Sequence, residues 1–210
     1  MASDTIDVLA QKFFKFQCDP ELTEKSLAFL KEVEYRGNTA NQTSVNNRLN
    51  HKEEMKELHQ WFQQCLNKVQ KEMQWECDKL QITQSWCNKT GSQEHHHWHH
   101  HPNSFASAVF YLNNSECKTV FAIGNIWDFN KNFTGNLNLQ PRGQGRGRAV
   151  VHQEPTVAGT LLIFPSVVEH SVTPNIEEEN ERYSISFNTF PVGMIGSLGS
   201  LSGLNIQVDM

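Results

Sequence analysis

The sequence predicts a mainly β protein, an antiparallel sandwich or barrel of the jelly-roll kind, entered through N-terminal helices. Two observations carry this. The apolar repeat changes near Leu80 from a period of about 3.6 residues to a period of 2. From there on, short apolar runs are separated by Gly, Pro or Asn, with no helical segment between them to serve as a crossover, which excludes a parallel α/β sheet. At 210 residues the chain can bury a substantial core. The expected division is a helical supporting layer over residues 1–78 and a β core over 79–210.

In chain order, Ile6–Gln17 is apolar in both a helical and an extended register, the extended one making Lys12–Phe16 an edge strand. Asp19 is an N-cap with Pro20 at the first helical position, and Leu22, Ser26, Phe29, Leu30 and Val33 form one stripe of a helix that Gly37 ends. Residues 38–44 are too poor in apolar residues to pack as a regular element and read as a loop. Asn50 with Glu53 resembles a capping box, opening a long amphipathic helix whose Met55, Leu58, Phe62, Cys65, Leu66, Val69 and Met73 pack inward. Strands are then expected from Leu80, at Phe105–Leu112, Thr119–Ile123, Arg148–His152, Thr160–Phe164, Glu169–Thr173 and Tyr183–Phe190. The Gly- and Ser-rich segment 193–203 wraps back over the sheet, and a last short strand follows at Asn205–Val208.

The net charge of −5 argues against general binding to nucleic acid or membrane. Cys18, Cys65, Cys77, Cys87 and Cys117 are odd in number and lack framework spacing, which suits reduced thiols in a cytoplasmic compartment. No signal peptide is legible, because charged residues interrupt the first apolar run, and no run approaches the ~20 apolar residues of a membrane span. The sequons at Asn41, Asn88, Asn113 and Asn132 are therefore expected to carry no sugar.

 Six histidines crowd into His95–His101, in two triplets either side of Trp98. On an extended backbone His95, His97, His99 and His101 would share one face, with His96 and His100 on the other. Neutral imidazole keeps a lone pair at physiological pH, so a metal site is the leading reading. A solvated, weakly metal-scavenging tract is the bland alternative, and the internal position argues against an expression tag.

Two downstream segments complete the pattern. The run Gly159–Phe164 leads through Pro165 and Ser166 to His170 on the next strand. In Arg182–Asn188 alternation sets Arg182, Ser184, Ser186 and Asn188 on one face and Tyr183, Ile185 and Phe187 on the other. A polar row turned into a sandwich needs a polar occupant. Arg182 with Ser184 makes a carboxylate receptor, a planar two-pronged cation beside a hydroxyl donor. Tyr111 could hydrogen-bond a bound co-substrate or simply pack. Asn188 could help bind substrate. Asn103 and Ser104 form a turn after Pro102 or support His101.

Taken together, H-x-H-P-N-S from His99, G-T-L-L-I-F-P-S-x-x-x-H-S-V from Gly159 and R-Y-S-I-S-F-N from Arg182 resemble the 2-oxoglutarate- and Fe(II)-dependent oxygenases. Within that superfamily the chain is similar to a group of oxygenases from marine cyanophages and bacteria, over about Ile82–Asn188. It implies a double-stranded β-helix, Fe(II) held by His99, His101 and His170, and 2-oxoglutarate held by Arg182 and Ser184, with Tyr111 and Asn188 as further candidates. His101 stands where the family usually has Asp or Glu, and Glu94 or Asp128 are other sources of a carboxylate ligand. The implied reaction is oxidation by dioxygen coupled to decarboxylation of 2-oxoglutarate, most simply hydroxylation of a protein or peptide side chain, in the cytoplasm of a host cell if the chain is phage-encoded.

Two readings of other classes compete: a cupin-like three-histidine metalloenzyme that does not use 2-oxoglutarate, and a phage structural or interaction protein with a structural metal. Arg142, Arg146 and Arg148 lie in a glycine-rich segment that reads as a surface hairpin tip, a lid, or a contact to a nucleic-acid backbone.

Overall fold

The computed structural model describes residues 12–123, 150–197, 199 and 201–208. Two antiparallel sheets face each other. Naming strands in chain order, β4 (Lys79–Thr90), β6 (Ala106–Tyr111), β9 (Thr160–Pro165) and β11 (Arg182–Ile195) lie in an 8-stranded sheet, and β5 (His96–His99), β7 (Ser115–Ile123), β8 (Val150–Thr156) and β10 (Glu169–Val172) form a 4-stranded one. With β1 (Phe14–Gln17), β2 (Tyr35–Asn38) and β3 (Asn41–Ser44) included, the larger sheet runs β1-β9-β6-β11-β4-β3-β2 and the smaller β5-β10-β7-β8. Successive strands thus pass back and forth between sheets, which is the jelly-roll connectivity of a double-stranded β-helix.

The N-terminal segment supplies more than helices. β1 (Phe14–Gln17) extends the larger sheet at β9, in the edge position expected for it. α1 (Pro20–Lys31) starts where expected, with the Asp19 side chain accepting from Glu21 and Leu22 N–H. It ends earlier than expected, at Lys31 with Glu32 as C-cap, because the chain turns into a hairpin of β2 (Tyr35–Asn38) and β3 (Asn41–Ser44). The expectation of an irregular loop over residues 38–44 is therefore corrected. Apolar content is a poor guide there, because β3 obtains its order from ladder bonds to β4 and from burial of Asn41 and Ser44.

The capping box at Asn50 is corrected too. Two 3-10 turns, Leu49–His51 and Glu53–Met55, precede α2 (Lys56–Met73), whose N-cap Met55 makes no side-chain cap bond. Burial of Leu49 and Met55 beneath the helix holds this entry instead. At its other end Gln74 adopts the left-handed conformation, with φ 53°.

Each strand of the larger sheet serves two environments. Tyr183, Ile185 and Phe187 of β11 face outward, joining Phe110 and the α2 stripe Leu58, Phe62, Leu66 and Val69 in the main core. The Phe62 ring lies 5.2 Å from Phe110 and 5.0 Å from Phe187. The helices are thus the outer wall of the core. A smaller apolar cluster of Val109, Tyr111, Phe121, Leu162, Phe164 and Val168 fills part of the space between the sheets. Arg182, Ser184, Ser186 and Asn188 are all buried on the opposite parity of β11, so this polar row lies inside the protein. At the C-terminus β12 (Leu204–Ile206) pairs with the end of β11.

Candidate metal centre and co-substrate cavity

β5 brings the histidine tract against β10, with His99 opposite His170 and His96 opposite Val172. Three steps along β5 thus match two along β10, an irregularity of the bulge type. The extra residue reverses the side-chain parity, so the facing expected from strict alternation is corrected. His96 and His99 are half-buried and His101 is buried, while His95, His97, Trp98 and His100 are exposed.

His99, His101 and His170 meet. Their candidate ligand atoms lie within 4.8 Å of one another. His101 Nε2 is 3.2 Å from His170 Nε2, and the His99 and His170 ring centres are 4.2 Å apart. Neighbouring nitrogens on one ion stand about 3 Å apart when each bond is about 2 Å, so the pair fits a common ion with little movement. His99 Nδ1–H donates to His97 O at 2.9 Å and His170 Nδ1–H to Val168 O at 3.0 Å. A carbonyl can only accept, so both rings keep their proton on Nδ1 and present a bare Nε2.

Burial keeps these rings neutral. It is the largest cause lowering His101 to about 4, and it holds His99 below and His170 well below the ordinary imidazole value, with neighbouring imidazoles adding to the effect. Trp86 packs beside His101 at 5.8 Å and Phe164 against His170 at 5.0 Å, forming an apolar surround. A second cluster, His96, His97 and His99, shares His99 with the first.

Among the described residues, neither cluster contains a carboxylate. Glu94 instead accepts from Gly91 N–H at 2.7 Å, closing its own turn. Asp128 lies outside the described residues, as do Arg142, Arg146 and Arg148. Asn103 adopts a left-handed turn conformation, φ 58°, and Ser104 Oγ donates to Ala106 O at 3.0 Å. These residues shape the turn after Pro102.

Arg182 is fully buried, and the side chains placed around it are neutral. Its Nε donates to Thr156 Oγ1 at 3.2 Å, Nη1 to Ser184 Oγ at 3.1 Å and Nη2 to Thr119 Oγ1 at 3.4 Å. The guanidinium stands 5.2 Å from the centre of the Tyr111 ring, whose hydroxyl donates to Thr119 Oγ1. Among the described residues no carboxylate forms an ion pair with it. A desolvated cation with only hydroxyls and a ring face around it is an incomplete arrangement that an anion would complete.

One cavity joins the two ends. Its lining includes His96, His99 and His170 together with Arg182, Ser184, Asn88 and Thr119. Asn88 Oδ1, buried in this wall, has no hydrogen-bond partner among the described residues. Asn188 sits nearer the imidazoles: it hydrogen-bonds toward His101 and accepts from Ser107 Oγ at 3.1 Å.

Fold and site define a class of protein: a double-stranded β-helix whose interior holds a histidine cluster and a buried arginine facing one cavity. A protein-family profile described as "Putative 2OG-Fe(II) oxygenase" matches residues 84–188, half of the chain. The protein belongs to this 2-oxoglutarate- and Fe(II)-dependent oxygenase family, and is an oxidoreductase that uses iron and 2-oxoglutarate.

The fold is similar to that of a Pseudomonas putida prolyl-4-hydroxylase, at 15% identity and TM-score 0.59, over 87% of this chain and 94% of that one. It is similar to the α-ketoglutarate-dependent epimerase SnoN of nogalamycin biosynthesis, at 13% identity and TM-score 0.64, over 90% and 80%. HygX from Streptomyces hygroscopicus, solved with nickel and 2-oxoglutarate, matches at 10% identity and TM-score 0.62, over 88% and 85%. A search of curated protein sequences returns no match.

Proposed function

We propose that the protein is a hydroxylase that holds Fe(II) on His99, His101 and His170, binds 2-oxoglutarate through Arg182 and Ser184, and acts on a protein or peptide side chain. The observation that carries the reading is the single cavity with bare imidazole nitrogens at one end and a buried, anion-free guanidinium at the other. The donor set fits the iron, and the unmatched cation fits a dicarboxylate. When bound, the iron supplies the redox chemistry with dioxygen that is coupled to decarboxylation of 2-oxoglutarate to succinate and carbon dioxide.

The chain's own residues bind, orient and exclude water. Arg182 and Ser184 take the far carboxylate as a charge-assisted pair of donors. Tyr111 and Thr119 hold the guanidinium plane in place. Val109 and Phe164 line the same cavity and give part of its wall apolar surface, which lowers the local dielectric and strengthens the electrostatic attraction between the guanidinium and the carboxylate. A polypeptide substrate is supported by the exposed lip of β5. There Trp98 is 50% exposed and His97 is exposed, as is His100 directly after the strand.

The cupin-like alternative leaves the buried charge of Arg182 unexplained. The discriminating experiment adds Fe(II) and then 2-oxoglutarate anaerobically and follows weak visible absorption, then measures succinate release with peptide, small-molecule and oligonucleotide substrates. A band that needs both additions, and succinate formed with peptides gaining one oxygen, supports the proposal. Iron binding with no response to 2-oxoglutarate refutes the co-substrate; turnover with only the other substrate classes refutes the peptide assignment.

A further inference from the structure

His96 lines the cavity, but it is neither one of the three proposed ligands nor part of the arginine end. Its register fixes where it stands. His96 lies opposite Val172, and Val172 opposite Thr119, the residue that accepts from Arg182. His99, on whose ring it stacks at 4.4 Å and 17°, lies nearer the other end, opposite His170. The His96 ring therefore flanks the stretch of cavity between the imidazoles and the guanidinium.

Its tautomer is set by the β2–β3 hairpin. The Thr39 backbone N–H can only donate, so the Asn38 atom it meets at 2.9 Å is the oxygen. That leaves Asn38 Nδ2 to donate to Asn41 Oδ1 at 3.1 Å, and Asn41 Nδ2 to face His96 Nδ1 at 3.3 Å. An amide nitrogen has no lone pair to offer, so Nδ1 is the acceptor and the neutral ring carries its proton on Nε2. Asn41 is 3% exposed, and His95 N–H donates to Ala40 O at 3.0 Å, which holds the hairpin against the start of β5. His99 and His170 have the opposite tautomer.

We propose that His96 is a 2-oxoglutarate-binding residue, whose Nε2–H, oriented by the Asn38–Asn41 amide relay, donates to a carboxylate oxygen of the co-substrate. The inference rests on the reading that 2-oxoglutarate lies between the imidazoles and Arg182. The same tautomer removes His96 from the ligands, since its Nε2 has no free lone pair. Neutral imidazole at this position supplies a directed donor without adding a second buried charge.

The test titrates 2-oxoglutarate calorimetrically into the full-length Co(II)-loaded protein under anaerobic conditions. Wild type, His96→Phe, His96→Gln and Arg182→Met are compared, with Co(II) affinity measured separately and the wild-type imidazole nitrogen shifts recorded by NMR. His96→Phe is expected to keep Co(II) affinity within about twofold and to weaken 2-oxoglutarate binding by about tenfold or more, the loss of one hydrogen bond to a charged group. His96→Gln, which keeps a donor, should recover most of it, and the wild-type ring should carry its proton on Nε2.

The inference is overturned if His96→Phe leaves 2-oxoglutarate affinity within twofold while Arg182→Met abolishes it, or if His96→Phe lowers Co(II) affinity tenfold. If Arg182→Met also leaves 2-oxoglutarate binding intact, the underlying placement of the co-substrate fails instead. Should His96→Phe not fold, the nitrogen shifts decide, and a proton on Nδ1 overturns the proposal.

Discussion

Replacing Arg182 by Met should move co-substrate binding and fold stability in opposite directions. The guanidinium is fully buried, is bonded to Thr156, Ser184 and Thr119, and has no carboxylate beside it among the described residues. Breaking a buried charge pair by removing one member costs about 3–5 kcal/mol, so 2-oxoglutarate should bind about a hundredfold to several thousandfold more weakly, or not measurably. Without co-substrate the same charge is uncompensated. An unbranched apolar chain of similar length should then leave the ligand-free fold unchanged or stabilise it by about 1–4 kcal/mol. For a chain of this size that is a rise in Tm of roughly 2–4 °C per kcal/mol. Calorimetric titration of the metal-loaded protein and scanning calorimetry of the ligand-free protein read the two halves. Unchanged 2-oxoglutarate affinity would refute the receptor. A large destabilisation of the ligand-free protein would show that the hydroxyl network, rather than a ligand, satisfies the arginine.

His59 gives a pH dependence away from the site. Its Nδ1–H donates to Met55 O and Ser85 faces Nε2, and burial lowers it to about 4. The unfolded chain therefore binds more protons between pH 6.5 and 4, so stability should fall by about 3 kcal/mol on acidification through that window. Urea unfolding at a series of pH values, with His59→Gln giving a shallower slope, tests this; a flat profile would contradict it. Because burial keeps His99, His101 and His170 neutral near pH 7, metal uptake there should release less than about half a proton per ion, read by calorimetry in buffers of different ionisation enthalpy. Release of one proton or more would mean that a ligand is charged beforehand. Phe62→Ala should cost about 3–5 kcal/mol, since the ring is wholly buried against Phe110 and Phe187. A loss under about 1 kcal/mol in denaturant unfolding would show that α2 is not part of the core.

Much of the fold was legible because local chemistry agrees with it. Asp19 and Pro20 mark the start of α1, and the α2 stripe predicts the face that packs on the sheet. The alternation in Arg182–Asn188 predicts a polar face and an apolar one, and both are buried. The histidines were harder to read. Strict alternation assigns His96 to the face opposite His99, whereas the irregular pairing with β10 brings both inward. The hairpin β2–β3 escaped notice because it carries little apolar residue, and its order comes from pairing with β4.

By itself the sequence determined the two helices and the change to strands near Leu80, the sheet-facing stripe of α2 and the residue types gathered in the motifs at His99, His170 and Arg182, because periodicity and side-chain chemistry are properties of neighbours along the chain. Only the tertiary structure decided which imidazoles face inward, which nitrogen of His96, His99 and His170 carries the proton, and that Arg182 lies beside no carboxylate among the described residues. Those depend on strands distant in sequence: β10 sets the parity of β5, the Asn38–Asn41 hairpin sets the proton on His96, and closure of the two sheets removes water from the arginine.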